Sequence, residues 1–247
     1  MTLYLLGTGA AVSDPHRTTT MLAFEEAGQL LLVDCGGDAF QRLLAVGVDV
    51  TSLKAIILTH EHPDHVSGFP LLVEKLWLSG RQDPIVVYGL PRTLEVARAL
   101  FSAFNTKGWE GLPPLEWNEV EALPGASVLE SDAFRVTAAP VAHPVPTIGL
   151  RVEGAGGTVV AYSCDTAKHP NVVLLARDAD VLVHEATGSQ AGVHASPEEA
   201  AETAAEAGVA RLILVHLPPG ATDGGLEEAR HRFTRTELGE ELGVYPL

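Results

Sequence analysis

Thr59-His60-Glu61-His62-Pro63-Asp64-His65 follows directly on the apolar run Ala55-Ile56-Ile57-Leu58. Three imidazoles and two carboxylates so close together have no use in a folded core, where each would have to be desolvated and paired. A divalent cation compensates all of them at once. The apolar run is short and β-branched, which predicts a buried strand with His60 at its carboxyl end. Alternation along extended chain points His60 and His62 the same way. Asp64 and His65, after Pro63 interrupts the strand, turn back from a loop or the first turn of a helix. Two ligand pairs side by side suit two metals, because binuclear hydrolytic sites hold their ions about 3.5 to 4 Å apart. The competing reading, a polar turn that happens to contain histidines, fits poorly with the strand before it and the helical pattern Val66 to Leu78 after it.

The rest of the composition narrows the class. A chain of 247 residues can bury a substantial core. No apolar run approaches the roughly 18 to 20 residues that span a bilayer. Met1-Thr2-Leu3-Tyr4-Leu5-Leu6-Gly7 lacks a basic segment and a small-residue cleavage site, so it does not read as a signal peptide. The expectation is a cytoplasmic protein with no membrane partner. Cys35 and Cys164 stand in no paired motif, which argues against a disulfide framework. Cys164, beside Asp165, reads as a small buried apolar residue or as a neighbour of the metals. The formal net charge of -16 argues against broad attraction to nucleic acid.

In the first half, Thr2 to Leu6 reads as a strand running into Gly7-Thr8-Gly9-Ala10-Ala11. A dinucleotide-binding reading of this turn fails, because Val12 fills the sixth position and Asp34 lies too far along. The polar stretch Pro15 to Thr20 is a solvated connector or the border of a substrate cleft. Met21 to Glu25 and Leu30 to Asp34 read as strands joined at Ala27-Gly28, and Asp38 to Val46 as a helix. Beyond the histidine loop, Pro84 to Tyr88 reads as a strand and Pro91 to Phe104 as a helix. The irregular segment Asn105 to Pro124 carries Trp109 and Trp117, which pack on the core or form a substrate-facing wall.

The second half repeats one pattern, an apolar strand that delivers a metal-competent residue at its carboxyl end. Phe134 to Ala142 leads to His143, Thr158 to Cys164 to Asp165, Asp180 to Val183 to His184-Glu185, and Leu212 to Val215 to His216. Loops at one end of a sheet converge in space, so these residues are expected to meet. Ser196-Pro197-Glu198-Glu199 is a capping box with proline at the first helical position, and Gly208 ends an alanine-rich helix. His194 falls just before that helix.

The HxHxDH pattern of His60, His62, Asp64 and His65 resembles the signature of the metallo-β-lactamase superfamily. Ala139 to Arg151, Ser163-Cys164-Asp165-Thr166, His184-Glu185-Ala186-Thr187, His194-Ala195-Ser196 and Leu214-Val215-His216-Leu217 are similar to its tRNase Z and cyclic-phosphodiesterase branch over nearly the whole chain. The resemblance implies an α/β, four-layer αββα sandwich, with residues 1–247 as one hydrolase domain. It implies that His60, His62 and His143 bind one metal, that Asp64, His65 and His216 bind the other, and that Asp165 bridges both. Asp64, His194 and Glu185 form the implied catalytic set, His194 as proton donor and Glu185 as its supporting carboxylate. His184 is either part of the site or a structural histidine beneath it. Asp34 is implied to orient a ligand without itself binding metal, or else caps the next turn.

Two departures from that branch shift the expected substrate. Only about twenty residues separate His143 from Asp165, too few for a tRNA-gripping arm. Leu217-Pro218-Pro219-Gly220 also stands where a phosphate-contacting arginine is expected. With the acidic charge, these favour a small (cyclic) phosphodiester or nucleotide, with tRNA 3′ processing as the alternative. The expected cofactors are two divalent ions, zinc best matching the imidazoles, with manganese and iron also accepted by such donors. Water activated between the ions would attack phosphorus, and His194 would protonate the departing oxygen. A carboxylic ester, lactone or thioester hydrolase would use the same water on a carbonyl. A metal-binding module without catalysis fits worst, since structural zinc sites are closed and usually contain cysteine. Leu71 to Leu78 is either a homodimer contact or part of the monomer core.

Overall fold

The computed structural model of the chain describes residues 1–12, 14–221 and 225–247. Its strands are β1 (Thr2–Gly7), β2 (Met21–Glu26), β3 (Gln29–Val33), β4 (Leu53–Leu58), β5 (Ile85–Gly89), β6 (Leu115–Glu119), β7 (Ala126–Glu130), β8 (Phe134–Pro140), β9 (Ile148–Gly154), β10 (Val159–Tyr162), β11 (Val181–Glu185), β12 (Arg211–Val215), β13 (Thr236–Leu238) and β14 (Gly243–Pro246). Its helices are α1 (Ala39–Ala45), α2 (Pro63–Val66), α3 (Phe69–Leu78), α4 (Pro91–Ser102), α5 (Pro170–Ala176), α6 (Pro197–Ala207) and α7 (Leu226–Arg232).

The strands form two sheets, ordered β14-β1-β2-β3-β4-β5-β6 and β13-β12-β11-β10-β9-β8-β7. Both faces of each sheet are covered, which is why the strands read as unbroken apolar runs. Leu3, Leu5, Leu31, Val33 and Ile57 meet Val136, Leu150, Val183, Ile213 and Val215 between the sheets. The alternate residues Tyr4, Leu6, Leu30, Leu32 and Ile56 pack with Leu43, Phe69 and Leu72 of α1 and α3. Leu182, Leu212 and Leu214 pack with Ala200, Ala201 and Ala204 of α6. Burying each such Leu or Val contributes about 1.5 to 3 kcal/mol. The result is the four-layer αββα arrangement the sequence implied.

Direction within the sheets decides where the site lies. Strands β3 to β6 run parallel, as do β10 to β13, and β8 runs with the latter because β9 is antiparallel to both of its neighbours. The carboxyl ends of β4, β8, β10, β11 and β12 therefore share one edge of the sandwich.

Two local expectations change. The helical pattern Val66 to Leu78 divides into α2 and α3 at Ser67-Gly68. A Cβ on Gly68 would lie 2.1 Å from the Gly37 carbonyl oxygen and 2.4 Å from that of Cys35, so the backbone passes there only without a side chain. The Gly68 N–H donates to Cys35 O at 2.8 Å and the Cys35 N–H to His65 O at 2.8 Å. These bonds stitch the histidine loop to the turn after β3. The segment 105–124 contains the edge strand β6. Trp117 packs against the core 5.4 Å from Phe69, whereas the partly buried Trp109 stacks on Trp77 at 4.6 Å, so both tryptophans lie with α3 and α4 and not among the candidate ligands. The stretch between His143 and Asp165 is a plain hairpin, β9 and β10 joined by residues 155–158. None of the described helices is long and apolar enough to cross a membrane.

Candidate metal centre and active site

Each candidate ligand is placed by the end of a strand. His60 and His62 follow β4, Asp64 and His65 occupy the short α2, and His143, Asp165 and His216 follow β8, β10 and β12. Asp34, Cys164 and His216 lie in the left-handed region, with φ of 61°, 54° and 54°. A non-glycine residue held there costs on the order of 1 to 3 kcal/mol, and its surroundings must impose it. Gly36 supplies the close approach beside Asp34, since a Cβ there would lie 1.7 Å from Asp64 O.

The structure brings the seven candidates into two touching groups. The ligand-capable atoms of His60, His62 and His143 lie within 4.8 Å of one another, as do those of Asp64, His65, Asp165 and His216. Asp165 stands between the groups, with Oδ2 3.3 Å from His216 Nε2 and 4.0 Å from His60 Nε2, and Oδ1 3.5 Å from His65 Nε2. Asp64 Oδ2 is 3.4 Å from His216 Nε2 and 3.5 Å from His65 Nε2. His143 Nε2 is 3.1 Å from His62 Nδ1.

Four imidazoles are oriented by a bond on their other nitrogen. His65 Nδ1–H donates to Asp34 Oδ2 at 2.8 Å, and His143 Nδ1–H to the Val193 carbonyl at 2.9 Å. His216 Nδ1–H donates to Thr187 Oγ1 at 2.7 Å, and His60 Nδ1–H to Thr59 Oγ1 at 3.2 Å. Each bond fixes the tautomer that leaves Nε2 as an acceptor. The expected role of Asp34 as an orienting carboxylate matches this geometry, and the helix after it is capped by Asp38 instead.

The electrostatics favour ionised carboxylates in the cluster and a neutral imidazole at His60. Burial and the neighbouring His65 push His60 well below its ordinary pKa, towards the neutral form. Burial would raise Asp165, but His216 and His65 outweigh it and hold the carboxyl well below its usual range. Burial likewise opposes ionisation of Asp64, and the neighbouring His216 and His65 imidazoles overcome it. Ionised carboxylate and neutral imidazole are the forms that cations bind. His60 is held neutral, whereas against burial the Asp165 and Asp34 charges hold the His65 pKa well above its ordinary value, so a cation there would displace its proton.

These residues fit a pair of cations on a direct observation. His60 Nε2, His65 Nε2 and Asp165 Oδ1 are buried polar atoms with no hydrogen-bond partner among the described residues. They belong to one cluster, and orphaned polar atoms in a protein interior call for an explanation of this kind.

His194 and Glu185 sit beside the cluster. His194 lies within the same 4.8 Å limit of His143 and Asp165, and again of Glu185 and His216. Its Nδ1–H donates to Glu185 Oε1 at 2.9 Å. Glu185 is fully buried and also accepts from the backbone N–H groups of Thr166, Thr187 and Ala195. Burial alone would lower the His194 pKa, but the Glu185 hydrogen bond and charge outweigh it and hold His194 above its ordinary value.

His184 is not in the cluster. It is fully buried, bonds through Nδ1 to Glu185 O, and alternates away from Glu185 onto the face that packs against α6. Cys164 is buried with Sγ 2.9 Å from Thr59 Oγ1 and 3.6 Å from His60 Nδ1. The polar loop after Pro15 is bound into the fold. Arg17 donates to Thr8 Oγ1 and Gly239 O, and Ala10 N–H bonds to Leu217 O beside the His216 loop. Sequence reasoning missed Thr187 and the Val193 carbonyl. Thr187 could have been found as the hydroxyl two residues beyond Glu185, whereas a backbone carbonyl leaves no signal in the residue types.

The Beta-lactamase superfamily domain matches residues 30–217. Ribonuclease Z of Mycobacterium marinum is 34% identical over 96% of this chain and 93% of its own length. The metallo-beta-lactamase fold protein YhfI from Bacillus subtilis superposes with a TM-score of 0.83 at 23% identity, covering 99% of this chain and 98% of that one. The short form of human tRNase Z superposes with a TM-score of 0.81 at 24% identity, each chain covered completely.

Proposed function

The chain belongs to the metallo-β-lactamase superfamily, in the branch that contains ribonuclease Z, and from this premise we propose that this metal-dependent hydrolase cleaves phosphodiesters, with the 3′ region of an RNA as its substrate. The observation that carries the reaction class is the buried Glu185 holding His194 against the ligand cluster. Attack on a carbonyl does not require a proton donor at that place, whereas expulsion of an alkoxide from phosphorus gains from one.

Two divalent cations, one held by His60, His62, His143 and Asp165 and the other by Asp64, His65, His216 and Asp165, would activate water and neutralise charge on the phosphate oxygens. Asp34, Thr59, Val193 and Thr187 keep the imidazoles aimed at the reacting centre. Glu185 holds the proton on His194 Nδ1 and favours the imidazolium, so Nε2–H is available to the departing oxygen. Because Glu185 raises the His194 pKa, the acid form is present below that value and is lost as pH rises through it. Glu185→Gln therefore moves the alkaline decline of kcat on an alkyl diester to lower pH. A decline at the parent pH would detach Glu185 from this role.

The RNA reading follows the full-length relatives named Ribonuclease Z and reverses the preference drawn from charge and the short hairpin. A small diester remains the second reading because of that hairpin, which offers no projecting arm between His143 and Asp165. Pre-tRNA, cyclic nucleotides, linear dinucleotides and bis-p-nitrophenyl phosphate, tested side by side on metal-analysed protein, separate the two. Cleavage of pre-tRNA after the discriminator base, with kcat/KM above the small diesters, is the expected result. Turnover of small diesters alone would transfer the assignment to the second reading, and no turnover of any diester would end both.

A further inference from the structure

Thr59 lies where the two donor groups meet, and its hydroxyl is fully buried. Three polar atoms surround Oγ1, namely Asp34 Oδ2 at 2.8 Å, Cys164 Sγ at 2.9 Å and His60 Nδ1 at 3.2 Å. A hydroxyl has one donor and two acceptor lone pairs. The Asp34 carboxylate can only accept, so the Thr59 O–H points there. Both lone pairs are then left for the Cys164 S–H and the His60 Nδ1–H, and the hydroxyl is saturated. The proton of His60 is thereby kept on Nδ1, and its buried Nε2, which has no partner among the described residues, faces the cluster.

The same Asp34 Oδ2 accepts Nδ1–H of His65, whose Nε2 is also unpartnered. One carboxylate oxygen therefore sets the tautomers of two imidazoles in different donor groups, His65 directly and His60 through Thr59. Asp34 Oδ1 accepts the Thr59 backbone N–H at 2.8 Å, which keeps the pair in register. Cys164 delivers its thiol to this point from a left-handed backbone, φ 54°.

We propose that Thr59 is a positioning residue that presents His60 to one cation, sharing with His65 the Asp34 oxygen that orients both imidazoles. This inference rests on the binuclear reading above. Outer hydrogen bonds of this kind are worth about 10- to 100-fold in metal affinity. Stepwise cobalt dissociation constants, measured by chelator competition on the whole chain, test it. Thr59→Val keeps the shape and removes the hydroxyl, and it is expected to weaken one of the two constants about 10- to 100-fold while the other stays within a few-fold. Thr59→Ser restores the hydroxyl and is expected to return the weakened constant towards the parent value. Asp34→Asn is expected to weaken both. Parent-like binding of both ions by Thr59→Val, or failure of serine to rescue a variant that still folds by circular dichroism, overturns the inference. Should the parent chain bind no second cation, the binuclear reading itself fails.

Discussion

Asp165→Ala is expected to lose both cations and the hydrolytic activity together. The carboxylate is almost fully buried between the donor groups and is the one side chain that approaches His60, His65 and His216 at once. Its removal leaves Asp64 as the one carboxylate among the five imidazoles of the candidate set, so the charge that holds the pair of cations is gone. Loss of transition-state charge stabilisation worth several kcal/mol corresponds to about 10³-fold or more in kcat/KM. Metal analysis should read close to no ion per chain, with turnover falling in parallel. The fold should persist at lower thermal stability, because the imidazoles that faced the carboxylate lose their partner. Two retained ions would remove Asp165 from the bridging position, whatever the rate.

His194→Ala is expected to separate binding from chemistry. The imidazole is partly buried and tied to Glu185, and it stands beside the ligand candidates His143, Asp165 and His216. Metal content should stay at the parent level. Turnover of an alkyl diester should fall about 10²- to 10⁴-fold, the usual contribution of a positioned general acid. A p-nitrophenyl diester, whose leaving group departs without a proton, should lose far less. Equal losses on both substrates would show that His194 does not donate to the leaving oxygen.

Much of this arrangement could be read from residue types because strand and ligand share one signal. An apolar run that stops at a histidine or aspartate announces both the strand and the edge to which it delivers the side chain, as Ala55 to His60 and Leu212 to His216 do. The alternation that carries Glu185 to the edge also turns His184 onto α6, although adjacency in sequence left that choice open. The break at Gly68 was hidden because the apolar period of Val66 to Leu78 continues across it. Only the approach of Cys35 and Gly37, about thirty residues earlier, ends the helix there. Strand β14 pairs with β1 across almost the whole chain, and four residues carry no local mark of so distant a partner. Val193 acts through a backbone oxygen, which every residue possesses.

Apart from β14, the first sheet is built from residues up to Glu119 and the second from residues from Ala126 onward. His60, His62, Asp64 and His65 come from the first, whereas His143, Asp165 and His216 come from the second. Filling the centre would thus rivet two separately wound halves of the polypeptide at their shared lip. An ion at one hundred times its dissociation constant would add about 2.7 kcal/mol against their parting. Chelators would then loosen the seam as well as silence the chemistry.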